Sequence, residues 1–179
     1  MNRKRIFFAS PFFLALLFVT NPSKAVDSAS AEYGTGNGAQ MWRLGAQWKW
    51  QSRWLQSGNW HMGGYWDAQV GQWSGDGKNT ITDLGLTPVF RYQQSTPSSI
   101  SPYVEGAIGF HLISPVRLEP ARGFSTAFQF GDHIGAGARF GEQGRYDLSL
   151  RFQHLSNAGI KKPNNGINFT QLRFQYHFD

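Results

Sequence analysis

The 179-residue chain has no cysteine, so disulfides play no part in its stability whatever its compartment. Charge is sparse, at 16% of residues. Beyond Ala25 no apolar run approaches the roughly 20 residues of a membrane-spanning helix, which excludes a helical membrane protein. The formal net charge of +6 suggests a nucleic-acid partner, but four of the seventeen basic residues (Arg3, Lys4, Arg5 and Lys24) precede residue 25, where no acid occurs. The remainder holds 13 basic against 11 acidic side chains with no clustered basic stripe, and nucleic acid is excluded as a partner.

The leading segment has the grammar of a secretory signal. Arg3, Lys4 and Arg5 precede the apolar run FFASPFFLALLFV, which Ser10 and Pro11 interrupt, and Ser23-Lys24-Ala25 offers small residues at the positions a signal peptidase inspects. The expected division is a cleaved signal over 1–25 and a single domain over 26–179.

Aromatics are plentiful, at 16%, and all seven tryptophans fall between Trp42 and Trp73. The rest of the sequence alternates with period two. Expected strands run over Ala29–Thr35, Gln40–Gln51, Asn59–Trp73, Thr80–Gln94, Ile100–Leu112, Phe124–Phe140 and the two arms of a hairpin from Tyr146 to Phe178, punctuated by Gly-Asn-Gly, SGDGKN and GEQG turns. In the second strand, for example, Trp42, Leu44, Ala46 and Trp48 oppose Arg43, Gly45, Gln47 and Lys49. Pro88 cannot donate to a ladder and predicts a bulge or weak pairing. Asp132 falls on the apolar side of its strand, a misfit that a bulge or a place near the rim would explain.

Eight alternating antiparallel strands fit two architectures. In a soluble lipocalin-like barrel the apolar face points inward. In a small transmembrane barrel it faces lipid. The aromatic-heavy apolar face, the last strand's Leu172, Phe174, Tyr176 and Phe178, and the signal segment favour the second: an all-β, eight-stranded antiparallel outer-membrane β-barrel. Its narrow interior would receive Arg43, Lys49, Asp67, Arg91, Glu105, Arg139, Asp147, Arg151 and Arg173 as a paired polar plug, not a pore.

The chemistry sits on the last hairpin. In Tyr146–Ser156 the even positions form an apolar stripe that ends in His154 and Ser156. Two positions apart on a strand places both side chains on one face, roughly 6–7 Å apart at Cα, within reach of a Ser–His pair. With a loop over 157–166, His154 should lie opposite Asn168. Ionisable groups on a lipid-facing surface are functional candidates, and a nucleophile there suits a substrate that is itself a membrane lipid.

These residues also carry a resemblance. HLSNAGIKKPNNGIN, with MWRLGAQWKW, GYWDAQ, PVF, YVEGAIG and DHIGAGARF, resembles the lipid A 3-O-deacylase (PagL) family over nearly all of the chain after the signal. The resemblance implies hydrolysis of the 3-O-linked acyl chain of lipid A, with Ser156 as nucleophile, His154 as general base, and Asn157 and Gly159 in the oxyanion hole. It implies no cofactor and no metal; the expected partners are lipopolysaccharide and outer-membrane lipid, with a homodimer left open.

One position departs from the family pattern, which carries Glu where this chain has Asn168. An amide oxygen can hold the imidazole tautomer but cannot neutralise the imidazolium, and the corresponding acid-to-amide change in a serine protease costs about 10⁴ in rate. Glu119 and Asp83, expected near the outer-rim loops, are not evidently placed to substitute. The alternative reading is therefore a catalytically silent barrel with a structural or adhesion role.

Overall fold

A computed structural model describes residues 25–76, 79–96 and 98–178; apart from Ala25, the signal segment lies outside them. Strands follow the alternation: β1 (Ser28–Gly36), β2 (Ala39–Lys49), a short β3 (Trp54–Ser57), β4 (Trp60–Gly75), β5 (Thr80–Gln94), β6 (Ile100–Ser114), a small hairpin of β7 (Arg117–Glu119) and β8 (Arg122–Gly123), then β9 (Phe128–Phe140), β10 (Tyr146–Ser156) and β11 (Ile167–His177). Every barrel strand pairs with its neighbours in antiparallel register, and β1 pairs with β11 to close a ring of eight, with β3 as a spur on β4. The expected sixth strand begins at Phe128, four residues later than its pattern suggested, because Phe124 turns into the barrel mouth.

Period two assigns the faces. Even-numbered residues of β10 face outward, exposed as far as Phe152 and half-buried at His154 and Ser156, and odd ones are buried, from Asp147 at 0% to Arg151 at 2% exposure. On the outside, Leu84, Phe90, Ile108, Ile134, Leu150 and Leu172 are each about half exposed or more. A continuous apolar wall of this extent is far beyond what a water-facing monomer presents and matches lipid. The lower end carries an aromatic girdle in which Trp50 contacts Trp54, Trp66 and Phe90, and Trp60 stacks on Tyr92 at 5.4 Å. At the upper end Phe110, Phe128 and Phe130 cluster.

Inside, the charges pair as expected. Glu105 accepts from Arg151 Nε (2.7 Å), Arg91 Nη2 (2.8 Å) and Tyr65 (3.0 Å); Arg151 also reaches Glu32 (2.8 Å), Arg91 reaches Asp147 (2.7 Å), and Arg43 binds Gln153 (2.6 Å). Asp83, near the start of β5 by the loop as expected, is fully buried on the inward face, receiving Arg43 Nε at 2.7 Å, with His111 Nδ1 at 2.9 Å. Above this layer Met41, Trp73, Ile81, Ile113, Leu155 and Phe169 form an apolar cap, completed by Leu118 and Phe124 from the 115–127 loop. Among the described residues the polar core is thus capped by an apolar plug.

Pro88 produces the weak pairing and not the bulge. The β5–β6 ladder skips Thr87 and Pro88 and resumes in the same register at Val89↔Ala107. Asp132 also sits in unbroken ladders on both sides, so no bulge turns it inward.

Candidate active site on the outer wall

Three outward polar residues form one row across adjacent strands. His154 on β10 is the register partner of Asn168 on β11 and of Asp132 on β9. The inward neighbours Leu155 and Ile167, fully or nearly fully buried in the apolar cap, fix the tops of β10 and β11. Alternation then obliges His154, Ser156 and Asn168 to point outward.

His154 Nδ1 lies 2.6 Å from Asn168 Oδ1. An amide oxygen only accepts, so Nδ1 carries the proton and Nε2 is left as the basic nitrogen. The ring lies against Gly166, where a Cβ would come within 3.0 Å of His154 Cε1 and where φ is +61°. A side chain at 166 would therefore be strained and would push on the imidazole. Asn168 is held in turn through its N–H, which donates to Asn37 Oδ1 at 2.8 Å. Ser156, next on the same face, accepts weakly from the Ala158 N–H at 3.4 Å.

The other two predicted residues shape the turn after Ser156. Asn157 is fully buried; its Nδ2 donates to Phe124 O (2.7 Å) and Lys161 O (2.8 Å), and its Oδ1 accepts the Gly159 N–H (2.9 Å). The Asn157 N–H donates to Asn164 Oδ1 at 3.1 Å. Both expected oxyanion-hole amides are thus satisfied within the loop at rest. Glu119 is engaged with Arg122 at 3.2 Å, and Asp83 is inside the barrel, so neither of the acids considered from the sequence reaches His154.

Sequence reasoning missed two contributors. The segment after β6, whose residues 113–123 read from the sequence as a plain loop, is the clamp on the loop after Ser156. Arg122 donates to Gly166 O and to Asn37 O (3.1 Å each), while Gly123 N–H donates to Asn165 Oδ1 at 3.1 Å. The second is a groove of about 570 Å³ that starts at His154 and Asp132 and runs along the wall past Ile108, Ile134, Phe152, Phe90 and Gly106. Gly106 pairs with Phe90 on one side and Ile134 on the other, so its missing side chain notches the wall. Phe152 and Ile134 form a ridge between this groove and a second, of about 710 Å³, bordered by Val104, Ala136, Leu150 and Thr170. Phe174 lies lower on the wall, stacked against Tyr146.

The arrangement joins a serine, an oriented imidazole, a buried-amide turn and an apolar slot opening to lipid. Residues 40–177 match the family model described as lipid A 3-O-deacylase (PagL). Lipid A deacylase PagL of Pseudomonas aeruginosa is 34% identical over 157 residues, covering 86% of this chain and 87% of that protein. Lipid A deacylase PagL of Bordetella bronchiseptica is 36% identical over 109 residues, covering 59% of this chain and 57% of that protein's length. The crystal structure of the outer membrane enzyme PagL superposes with a TM-score of 0.76 at 33% identity, covering 84% of this chain and 99% of that one. A closed, lipid-faced barrel whose sequence and backbone both align with these proteins belongs to the lipid A 3-O-deacylase (PagL) family and is an outer-membrane β-barrel.

Proposed function

We propose that this barrel hydrolyses the 3-O-linked acyl chain of lipid A, with Ser156 as nucleophile and His154 as general base. The protein is a hydrolase of the family's kind, and the observation that supports its catalytic reading is the His154–Asn168 contact. In the neutral imidazole that contact holds the proton on Nδ1 and makes Nε2 the basic nitrogen, on the face shared with Ser156.

His154 Nε2 takes the Ser156 hydroxyl proton as Oγ bonds to the ester carbonyl carbon, and the carbonyl oxygen becomes an oxyanion. N–H groups of the turn at Asn157 and Gly159 receive it, exchanging their present acceptors Asn164 and Asn157 for the developing charge. Collapse breaks the ester C–O bond, and the imidazolium returns its proton to the departing sugar hydroxyl. Water, deprotonated by the same imidazole, then releases a 3-hydroxy fatty acid and free Ser156. The groove beside Ile134 and Phe152 holds the acyl chain. The long loops at the site's end face the cell exterior, as in barrels of this class, which brings the outer leaflet's lipid A to the serine. Lys161 and Lys162, exposed in the loop, place positive charge at headgroup level.

Expression in a host with unmodified lipid A, followed by mass spectrometry of the lipid A, tests the assignment. Loss of one hydroxyacyl mass with wild type and none with Ser156→Ala is the expected pair. A loss that persists in Ser156→Ala refutes it.

A further inference from the structure

Six acidic residues lie in the eight barrel strands, and five of them (Glu32, Asp67, Asp83, Glu105 and Asp147) are buried in the interior against arginines. Asp132 is the exception. It faces outward and exposed, on a mainly apolar wall. A charge on the lipid side is costly and marks a functional candidate whose partner should be named. The register names it: Asp132 stands directly across from His154 on one side and from Ile108 on the other, and it borders the same groove as His154. Directly opposed residues in an antiparallel pair have Cβ atoms about 4.5–5.5 Å apart.

His154 therefore has two lateral neighbours. Asn168, on β11, fixes the tautomer but carries no charge. We propose that Asp132 is a positioning residue that supplies from β9 the carboxylate Asn168 does not supply from β11, opposing the imidazolium formed when His154 accepts the Ser156 proton. No bond to Asp132 forms or breaks, and the proton stays on the imidazole. Splitting orientation and charge between two strands divides what a single triad acid does, and the site's edge position in lipid keeps the attraction from being screened as it is in water. This inference rests on the Ser156–His154 reading above.

The test is a set of variants purified as folded barrels in detergent micelles, each assayed for lipid A deacylation per heat-modifiable, folded molecule: wild type, Ser156→Ala, Asp132→Asn, Asp132→Glu, Asn168→Glu and Asp132→Asn with Asn168→Glu. Asp132→Asn is expected to lower kcat about tenfold with KM little changed, through lost electrostatic stabilisation of the transition state. Asp132→Glu retains most of the rate. In the presence of Asn168→Glu the Asp132→Asn loss disappears, because a carboxylate already flanks the imidazole; a merely structural role for Asp132 would not be repaired from the opposite strand. Wild-type kcat in Asp132→Asn, a change confined to KM, a loss that Asn168→Glu fails to repair, or a wild type silent until Asn168→Glu is introduced would each overturn the proposal. Should Ser156→Ala remain active, the parent reading fails. Should Ser156→Ala be dead and Asp132→Asn normal, this inference fails alone.

Discussion

Arginines, histidines and carboxylates occur in two settings in this barrel, and their bonding differs. In the interior Arg151 binds Glu32, Glu105 and the Tyr65 hydroxyl at once, all buried. On the outer wall Asp132, His154 and Asn168 form a single row with one short side-chain bond between them, His154 to Asn168. Buried charge is tolerated where it is fully paired, and removing one partner is destabilising. Polar groups on the lipid face have fewer partners, remain partly exposed, and stay free to change protonation or contact during a reaction. The same residue types hold the barrel together on one side of the sheet and are available for chemistry on the other.

Mutations should separate the two regions. Ser156→Ala should reduce deacylation on the order of 10⁴-fold or more while leaving the unfolding midpoint in detergent unchanged. Glu105→Gln does the reverse. It leaves Arg91 and Arg151 short of a carboxylate and should cost about 3–5 kcal/mol of stability, read as a lower denaturant midpoint, with residual activity tracking the folded fraction. Equal effects of both variants on both measurements would erase the distinction. Gly106→Leu probes the groove. A Cβ at 106 meets nothing closer than His133 O at 3.7 Å, so the barrel should fold normally while the filled notch lowers kcat/KM for long acyl chains by about tenfold. A short-chain ester should be spared. Arg122→Ala removes two carbonyl contacts of the loop clamp and should give the smallest change, a loss of about 1 kcal/mol or less in loop order, seen as faster amide exchange at Gly166 and Asn37.

Most of the barrel was legible because period-two alternation depends on one strand at a time. Trp42 and Arg43, or Phe152 and Gln153, declare their sides without reference to any neighbour. The His154–Asn168 pairing was legible as well, since both residues belong to one hairpin whose loop length constrains the register. Asp132 was visible as a misfit, but its partner depended on the offset imposed by the turn at 141–145, where Gly141 and Gly144 have positive φ and a 3₁₀ turn intervenes. Asp83 was legible as an inward residue, since it shares its odd position with Thr87 and Arg91, but its pairing across the barrel with Arg43 and His111 was not, because those partners come from distant strands. The groove could not be read at all. It comes from Gly106 lying laterally between Phe90 and Ile134, three residues on three strands.

The interior network also bears on how the barrel is completed. Ser28 near the start of β1 accepts from Gln175 of β11 at 2.5 Å, and Glu32 of β1 receives Arg151 of β10. These contacts join segments more than a hundred residues apart, and they cannot form until the first and last strands meet. A ring lacking β1 would deprive Arg151 and Arg173 of Glu32. The interior network therefore adds its own penalty for an open ring to that of the unpaired strand edges which closure removes.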